Sequence, residues 1–219
     1  MSKVLKQFFP TGFSNSKDYS RIINDRHFKR LHDILKTTVG EVKLGGEIID
    51  PSDLMMETTL ISLGHATEGK WKFDSTMQQE IFGPLLPYIT YDTIDQALDV
   101  AKQISDTSLG AYVFSEDKAE QLAVLEGTRS GGFCINEALM NSVMMSMPFG
   151  GVGQSGMGTY RGRYSVESFL HKRSVVDNKG GWVDWLLAFR FPPFLEKNYK
   201  MVMSVSPRAK FSRPAESKL

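Results

Sequence analysis

The short segment Gln79-Glu80-Ile81-Phe82-Gly83-Pro84 carries residue types and a spacing that suit contact with a ligand. Its carboxylate and its aromatic ring are two residues apart. A carboxylate can accept hydrogen bonds from sugar hydroxyls, and an aromatic ring can cover a flat heterocycle. The residues alone leave an alternative, a surface glutamate beside a core phenylalanine, which is the commoner arrangement.

A second unusual segment is the glycine-rich run from Pro148 to Gly158. Within it, Gly151 to Gly156 matches the dinucleotide motif G-x-G-x-x-G. That motif requires a strand before it, a helix after it and an acidic residue about twenty positions later. Pro148 interrupts the preceding run, and Lys179 and Gly180 stand where the acid is needed. We therefore interpret the match as accidental, and a small free-standing Rossmann dehydrogenase remains as the alternative.

The sequence offers no clear nucleophile or metal site. Ser155 is not in a G-x-S-x-G elbow, because Met157 replaces the last glycine. Cys134, the only cysteine, lies in an apolar strand pattern that predicts a buried and inert thiol. The four histidines lack metal-ligand spacing. The residues alone thus indicate no metal site and favour an inert Cys134.

Composition limits the class of protein. The chain has 219 residues, 41% of them hydrophobic and 23% charged, with a net charge of +1. These values are ordinary for a globular protein and give no overall field to attract nucleic acid. A single cysteine excludes an internal disulfide, and residues 1–13 lack the apolar core of a secretory signal. We expect a cytoplasmic protein with no nucleic-acid partner.

The elements that must position these segments follow an α/β pattern. Asn24 is a candidate N-cap for an early helix, and Thr93-Ile94-Asp95-Gln96 is a capping box. We predict Ser115 as the next N-cap and Gly127 as the end of its helix. The predicted strands are residues 41–45, 57–62, 85–91, 110–114 and 132–136. Strands and helices that alternate after Pro84 predict a parallel sheet with flanking helices.

The C-terminal region has a chemistry of its own. The pattern predicts a helix over residues 164–170 and a strand over 171–177, followed by an apolar helical stripe and a basic tail. The stripe contains Trp182, Trp185, Leu186 and Phe189. It is too short to span a bilayer, and two alternatives remain open: contact with a membrane interface, or packing on the body or on a second subunit.

Several motifs together resemble the aldehyde dehydrogenases. Residues 77–84 resemble the signature E-E-I-F-G-P of that family, and the run P-F-G-G-V-G-x-S-G-M-G resembles its fatty-aldehyde, class 3 branch. Other positions that fit this branch are Tyr19 to Ile23, Ser130 to Phe133, Tyr160, Gly162, Ser165, Phe169 and His171. The resemblance extends from about Leu5 to about Pro193.

The resemblance implies the C-terminal half of a catalytic domain in residues 1–168. It further implies an oligomerisation strand in 169–180 and an apolar helix with a basic tail in 181–219. The implied cofactor is NAD or NADP. By the same resemblance, Glu80 would hold the nicotinamide ribose, Phe82 would lie against the nicotinamide, and Phe149 would line the aldehyde tunnel. The family's nucleophilic cysteine, in a G-Q-x-C motif, its activating glutamate and most of its cofactor domain would lie upstream of this chain.

The expected function is therefore NAD(P)-dependent oxidation of an aldehyde, in particular a fatty one, to a carboxylic acid, with this chain inactive alone. The alternative is a non-catalytic remnant that pairs with a full-length relative or associates with the cytosolic face of a membrane. A homo- or hetero-oligomer is expected in either case. Three departures from the family pattern bear on the strand entry or the fine shape of the tunnel: Leu54 to Thr58, Asn136-Glu137 and Asn141.

Overall fold

The computed structural model describes residues 1–178, 180–182, 184, 187–193, 196, 197 and 200. They divide into two compact units, residues 1–170 and 171–219. The helices of the first unit are α1 (Ser2–Phe8), α2 (Asp25–Thr37), α3 (Ile94–Ile104), α4 (Lys118–Gly127), α5 (Met140–Val143) and α6 (Arg163–Phe169). Its strands are β1 (Glu41–Leu44), β2 (Ile48–Asp50), β3 (Met55–Met56), β4 (Thr59–His65), β5 (Leu85–Thr90), β6 (Ser108–Val113) and β7 (Ser130–Ile135).

The main hydrophobic core lies between α2 and the sheet β1-β4-β5. Asn24 caps α2 by accepting a hydrogen bond from the His27 amide at 3.0 Å. The apolar face of α2 carries Leu31 and Ile34 into the core. These side chains meet Ile61, Leu63 and Leu85 from the strands. Burial of such side chains supplies most of the free energy that holds α2 on the sheet.

The predicted α/β class is confirmed, but the predicted single sheet is not. Strand β4 is parallel to β5 and antiparallel to β1, while β6 pairs in parallel only with β7. No ladder joins β5 to β6 in the described part of the chain. Residues 76–80, which lead into β5, and residues 104–109, where β6 begins, face each other across a cleft. This separation leaves two parallel pairs where the sequence predicted one sheet.

The boundaries of α4 differ from the prediction for local reasons. Asp117, and not Ser115, caps the helix, because its Oδ1 accepts from the Ala119 amide at 2.7 Å. Gly127 is the last helical residue and lies outside the left-handed region. A Cβ there would lie 2.6 Å from the Leu98 side chain of α3. The glycine therefore permits close packing of α3 on α4 and does not serve as a left-handed cap.

In the second unit, residues 171–178 form neither a helix nor a strand. The predicted strand over 171–177 is thus not formed within this chain, since a strand requires a hydrogen-bonded neighbour. The side-chain Nδ2 of Asn178 donates to Asp184 Oδ1 at 2.6 Å, and residues Ala188–Arg190 form a 3-10 turn. Trp185 and Leu186 of the predicted apolar stripe, and the basic tail beyond residue 200, lie outside the described residues.

Candidate functional site

The segment from Gln79 to Ile81 is held by Arg30 of α2. The guanidinium donates to Gln79 Oε1 at 3.3 Å, to the Glu80 carbonyl at 3.2 Å and to the Ile81 carbonyl at 2.5 Å. The fixed fork of an arginine suits this set of acceptors. Arg30 therefore fixes the backbone of the segment and leaves the Glu80 side chain exposed.

The turn that precedes this segment is organised around Asp74, which is completely buried. Its Oδ2 accepts from Thr38 Oγ1 at 2.7 Å and from the Val39 amide at 2.8 Å. Its Oδ1 accepts from the Thr76 amide at 2.9 Å and from Thr76 Oγ1 at 2.6 Å. Burial raises the pKa of the carboxyl group, but the four hydrogen bonds outweigh it and hold the pKa below its usual value. Asp74 thereby joins the end of α2 to the entry of the Glu80 segment.

Phe82 is exposed and conformationally unusual. The residue is 75% exposed, and its φ of 48° lies in the left-handed region that bulky residues avoid. Such a backbone persists only where its surroundings enforce it, and it is concentrated at functional sites. On its C-terminal side, the Thr59 amide of β4 donates to the Pro84 carbonyl at 2.8 Å. The ring is thus presented outward by a segment fixed on both sides.

Phe82 borders a cleft of about 750 Å³, which we term the Phe82 cleft, with residues 19–23, His27, Met56, Gly83 and Pro84. The Tyr19 hydroxyl donates to the Met56 carbonyl at 2.7 Å. Burial raises the pKa of this hydroxyl above its ordinary value. The motif at Tyr19 to Ile23 and the motif at Phe82 therefore meet in one predominantly apolar cleft.

Glu80 borders a different cleft, of about 580 Å³, which we term the Glu80 cleft. Its other walls include Thr107 to Leu109 and, from the glycine-rich run, Gln154 and Ser155. The sequence suggested that Glu80 and Phe82 contact one ligand together. The structure places them on two clefts, since the left-handed backbone at Phe82 removes the simple alternation of an extended chain.

The glycine-rich run folds back on itself. A Cβ on Gly151 would lie 2.0 Å from the Ser155 carbonyl oxygen, and one on Gly150 would lie 2.1 Å from the Gly158 carbonyl oxygen. Only a three-residue 3-10 turn, Gly153–Ser155, follows the motif, and no helix begins there. The interpretation of the dinucleotide motif as accidental is confirmed, because the helix N-terminus that would bind phosphate is missing.

Phe149 lies just before this run and is half-buried. Its backbone forms an antiparallel bridge with Tyr160, and the two rings meet edge-on with centroids 5.8 Å apart. The guanidinium carbon of Arg161 lies 4.6 Å from the centre of the Phe149 ring. The structure groups Phe149 with Tyr160 and Arg161, and Phe149 lines neither the Phe82 cleft nor the Glu80 cleft.

Cys134 lies in β7, half-buried and opposite Tyr112 of β6. It lines neither of these two clefts. Among the described residues, no three His, Cys, Asp or Glu side chains come together in a way that could hold a metal ion. None of the described helices is long and apolar enough to cross a membrane.

Sequence reasoning missed Arg30, Asp74 and Arg161, which hold the candidate site residues in place. Their partners are distant in sequence: Arg30 bonds residues 49 to 51 positions away, and Asp74 bonds Thr38 36 positions away. No local sequence pattern predicts such long-range pairs. The only available signal was Arg161 itself, a long charged residue between Tyr160 and Gly162 of a recognised motif.

Comparisons with known proteins give the relationship of the chain. The profile described as "Aldehyde dehydrogenase family" matches residues 7–175. A "Beta-apo-4'-carotenal oxygenase" of Gibberella fujikuroi is 39% identical over 194 residues, which are 89% of this chain and 34% of that protein. "Aldehyde dehydrogenase family 3 member B1" of Bos taurus is 34% identical over 203 residues, 93% of this chain and 41% of that protein.

Solved structures agree. The "Substrate bound state of Staphylococcus Aureus AldH" has a TM-score of 0.69 at 33% identity, and the matched region covers 87% of this chain and 42% of that chain. The "NAD-dependent aldehyde dehydrogenase from Sinorhizobium meliloti" has a TM-score of 0.60 at 28% identity, and the matched region covers 68% of this chain and 28% of that chain. The chain thus spans between 34% and 41% of the length of these two curated relatives. It belongs to the aldehyde dehydrogenase family, as a partial α/β domain with similarity to family 3 members.

Proposed function

We propose that this chain supplies part of the cofactor and aldehyde site of an enzyme that oxidises a long-chain aldehyde to a carboxylic acid with NAD or NADP. The family supports the reaction class, and its members are NAD-dependent. The name of the Gibberella relative specifies a carotenal, which supports an apolar aldehyde. In this proposal Glu80 holds the nicotinamide ribose, Phe82 lies against the nicotinamide, and Phe149 lines the aldehyde path.

The observation that carries the proposal is that the fold fixes Glu80 and Phe82 without using their side chains. Arg30 bonds the backbone of Glu80, while the Glu80 carboxylate has no hydrogen-bond or ion-pair partner among the described residues. Phe82 is 75% exposed and has a strained backbone. Both side chains thus remain available to a ligand.

Because Glu80 and Phe82 border different clefts, the proposal requires the nicotinamide half of the cofactor to extend from the Glu80 cleft to the Phe82 cleft. The Glu80 carboxylate can accept from both ribose hydroxyls, and the Phe82 ring offers a flat apolar surface. When bound, the nicotinamide accepts a hydride from the substrate. We do not assign the nucleophilic thiolate to Cys134, since it lies in β7 away from both clefts, and the sequence contains no G-Q-x-C.

The first test is turnover by the purified 219-residue protein. We expect no aldehyde-dependent formation of NADH, measured at 340 nm with aldehydes of increasing chain length, because no thiolate is placed to attack the aldehyde. Formation of NADH in proportion to protein concentration would contradict this expectation.

The second test is ligand contact, measured by saturation-transfer NMR with NAD+ and nicotinamide mononucleotide. We expect saturation of nicotinamide and adjoining ribose protons, and its loss in Glu80→Gln and Phe82→Ala. Phe73→Ala is the matched control, since Phe73 is also an exposed aromatic residue, at 87%. Saturation of adenine protons alone, or equal signals in Phe82→Ala and wild type, would reject the assigned roles.

A second candidate function, non-catalytic pairing with a full-length relative, is favoured by residues 171–178. These residues form no strand within the chain, and Val175 and Val176 are 75% and 91% exposed. In this proposal, residues 171–178 pair with a strand of another subunit and so form a homo- or hetero-oligomer. Val175→Lys with Val176→Lys should abolish co-purification with a co-expressed family 3 subunit, while Val39→Lys, at another exposed valine, should not. Equal co-purification of the wild type, the Val175/Val176 double variant and the Val39 variant would reject the pairing.

We further propose a cytoplasmic location, with residues 181–219 in contact with a membrane surface. Trp182 is 74% exposed, and the sequence that follows it is apolar and then basic. An aromatic residue beside basic residues suits an anionic interface. The protein should float with phosphatidylserine vesicles and not with neutral ones, and deletion of 181–219 should abolish flotation. Flotation of the deleted protein would contradict the proposal.

A further inference from the structure

Arg161 is a buried cation that lies behind the candidate aldehyde wall. Its residue exposure is 9%. Nη1 donates to the carbonyl oxygens of Asn141 at 3.3 Å and Met144 at 3.0 Å, and Nη2 donates to the Ser142 carbonyl. The guanidinium thus binds three carbonyls within residues 139–147, a segment that includes the one-turn helix α5 and that we term the 139–147 loop.

The same guanidinium faces two aromatic rings. Its carbon lies 4.6 Å from the centre of the Phe149 ring and 5.7 Å from that of Tyr160. A cation in such a position is attracted by the π-face, and more strongly when it is desolvated. No carboxylate forms an ion pair with Arg161 in the described part of the chain. Loop carbonyls and ring faces therefore compensate its charge.

The backbone of Arg161 is also constrained. Its φ is 99°, a region that side-chain-bearing residues rarely adopt, and its amide donates to Ser165 Oγ at 2.7 Å. A strained residue persists where its side-chain interactions compensate the cost. Here those interactions join the loop to the ring of Phe149.

The 139–147 loop is apolar and exposed. Its exposed apolar side chains are Leu139, Met140, Val143, Met144, Met145 and Met147, between 42% and 70% exposed. Methionine side chains are flexible and unbranched, so they adapt to apolar ligands of varied shape. A flexible apolar surface becomes selective only where its backbone is fixed, and Arg161 bonds that backbone at three carbonyls.

We propose that Arg161 is a positioning residue, whose guanidinium fixes the 139–147 loop against Phe149 and so shapes the apolar wall along which the aldehyde chain lies. The inference rests on the proposed function of Phe149. Arg161 touches no substrate atom itself; it acts through the loop carbonyls and through the ring.

The test uses Arg161→Gly, because glycine adopts a φ of 99° without strain, so the variant removes the arginine side chain without straining the backbone. The readout is the ¹³C-methyl NMR spectrum of the loop methionines Met140, Met144, Met145 and Met147 in the full 219-residue chain. We expect their resonances to collapse toward random-coil positions. Added guanidinium ion, well below denaturing concentration, should restore them, whereas ammonium should not, since it lacks the planar fork.

Two further variants keep the test decisive. Arg161→Lys retains the charge and should show the same collapse, with the core intact as reported by the indole N–H resonance of buried Trp71, which donates to the Ala66 carbonyl at 3.1 Å. Arg163→Ala is the control, since that arginine is exposed and contacts only residues of its own helix, the Glu167 carboxylate and the Tyr164 ring, among the described residues. Unchanged methionine resonances in Arg161→Gly, or full recovery with lysine or ammonium, would overturn the positioning role.

Octanoate, a non-reacting probe of the product class, separates this inference from the proposed function. In the wild type, we expect octanoate to shift the resonances of the Phe149 ring protons. We expect it to bind about tenfold more weakly to Arg161→Gly, with the affinity restored by added guanidinium. If octanoate does not bind the wild type but the loop resonances still collapse and recover, the positioning role stands and the function assigned to Phe149 fails. Undiminished binding of octanoate to Arg161→Gly would reject the role of Arg161 in shaping the wall.

Discussion

Asp74 has the lowest exposure of any charged side chain that the structure describes, and donors alone compensate its charge. Two hydroxyls and two backbone amides saturate its oxygens. A buried carboxylate with this many donors is stabilised in its ionised form, which is why the hydrogen bonds prevail over burial in setting its pKa. Asp74 thus links stability to pH at the entry of the Glu80 segment.

The linkage has a definite sign. The folded-state pKa of Asp74 lies below the unfolded value of about 3.9. The contribution of the ionised carboxylate to the free energy of unfolding is therefore complete above about pH 3.9 and is lost as the pH falls through the folded-state pKa. Asp74→Asn should therefore lower the free energy of unfolding at pH 7 by about 3 kcal/mol. The difference between variant and wild type should shrink as pH falls below about 4. Urea denaturation at pH 7 and at pH 3 measures both effects.

Asp106→Asn is the matched control, since Asp106 is exposed and has no hydrogen-bond or ion-pair partner among the described residues. Its unfolding free energy should match that of the wild type at both pH values. A destabilisation by Asp74→Asn that is equal at pH 7 and pH 3 would show that lost packing, and not the charge, is responsible.

Arg30 holds a stretch of backbone in the way that Arg161 does, although Arg30 is only half-buried where Arg161 is buried. Its three acceptors lie on consecutive residues, from Gln79 to Ile81. Arg30→Ala should therefore speed amide hydrogen exchange at residues 79–83 by about tenfold or more, since the segment then opens without breaking the core. Lys29→Ala, one residue away on α2, should leave exchange unchanged. Equal exchange in both variants would indicate that Asp74 and Pro84 suffice to order the segment.

At the element scale, the contact between α3 and α4 depends on a missing side chain. Glycine inside a helix costs about 1 kcal/mol relative to alanine. Gly127 nevertheless occupies the last turn of α4, because a Cβ would lie 2.6 Å and 2.9 Å from the two terminal methyl groups of Leu98. The close approach of the two helices thus prevails over helix propensity.

This competition between packing and helix propensity predicts that the effect of Gly127→Ala on stability has opposite signs with and without the Leu98 side chain. Gly127→Ala should destabilise the wild-type protein by about 1–3 kcal/mol, through overpacking against Leu98. In a Leu98→Ala background the same substitution should stabilise by about 1 kcal/mol, since only the helix propensity remains. Urea denaturation of the four proteins in this double-mutant cycle measures the coupling. Stabilisation by Gly127→Ala in both backgrounds would mean that Leu98 moves aside freely.

At the scale of the whole molecule, local chemistry was predictable and distant pairing was not. Asn24 and Thr93 cap their helices as predicted, because each accepts a hydrogen bond from an amide three residues away. The predicted capping box does not close, since Gln96 Oε1 accepts from the Asp92 amide at 3.0 Å and not from that of Thr93. The α/β class followed from alternating patterns along the chain. The division into two parallel pairs, and the separation of Glu80 from Phe82 onto two clefts, depend on backbone geometry and on contacts across tens of residues. No periodicity encodes them.

Charge and exposed apolar surface together determine how the whole chain behaves in solution. The net charge is +1 and the isoelectric point is about 7.8. Many large apolar side chains are exposed, among them Phe73, Phe82 and Phe114 at 87%, 75% and 68%. With so little net charge, repulsion between copies is weak near neutral pH, so apolar contacts dominate association.

Solubility should therefore pass through a minimum near the isoelectric point of about 7.8 and rise at about pH 6 and about pH 9.5, where the net charge is larger. Lys3→Glu with Lys17→Glu, both at exposed positions, should move the minimum to lower pH, since the two changes bring the net charge from +1 to about −3. Precipitation by polyethylene glycol at these pH values measures the effect, with Lys3→Arg and Lys17→Arg as the charge-neutral control. A minimum that stays in place in the Glu variant would show that apolar contacts alone, and not net charge, govern the association of this chain.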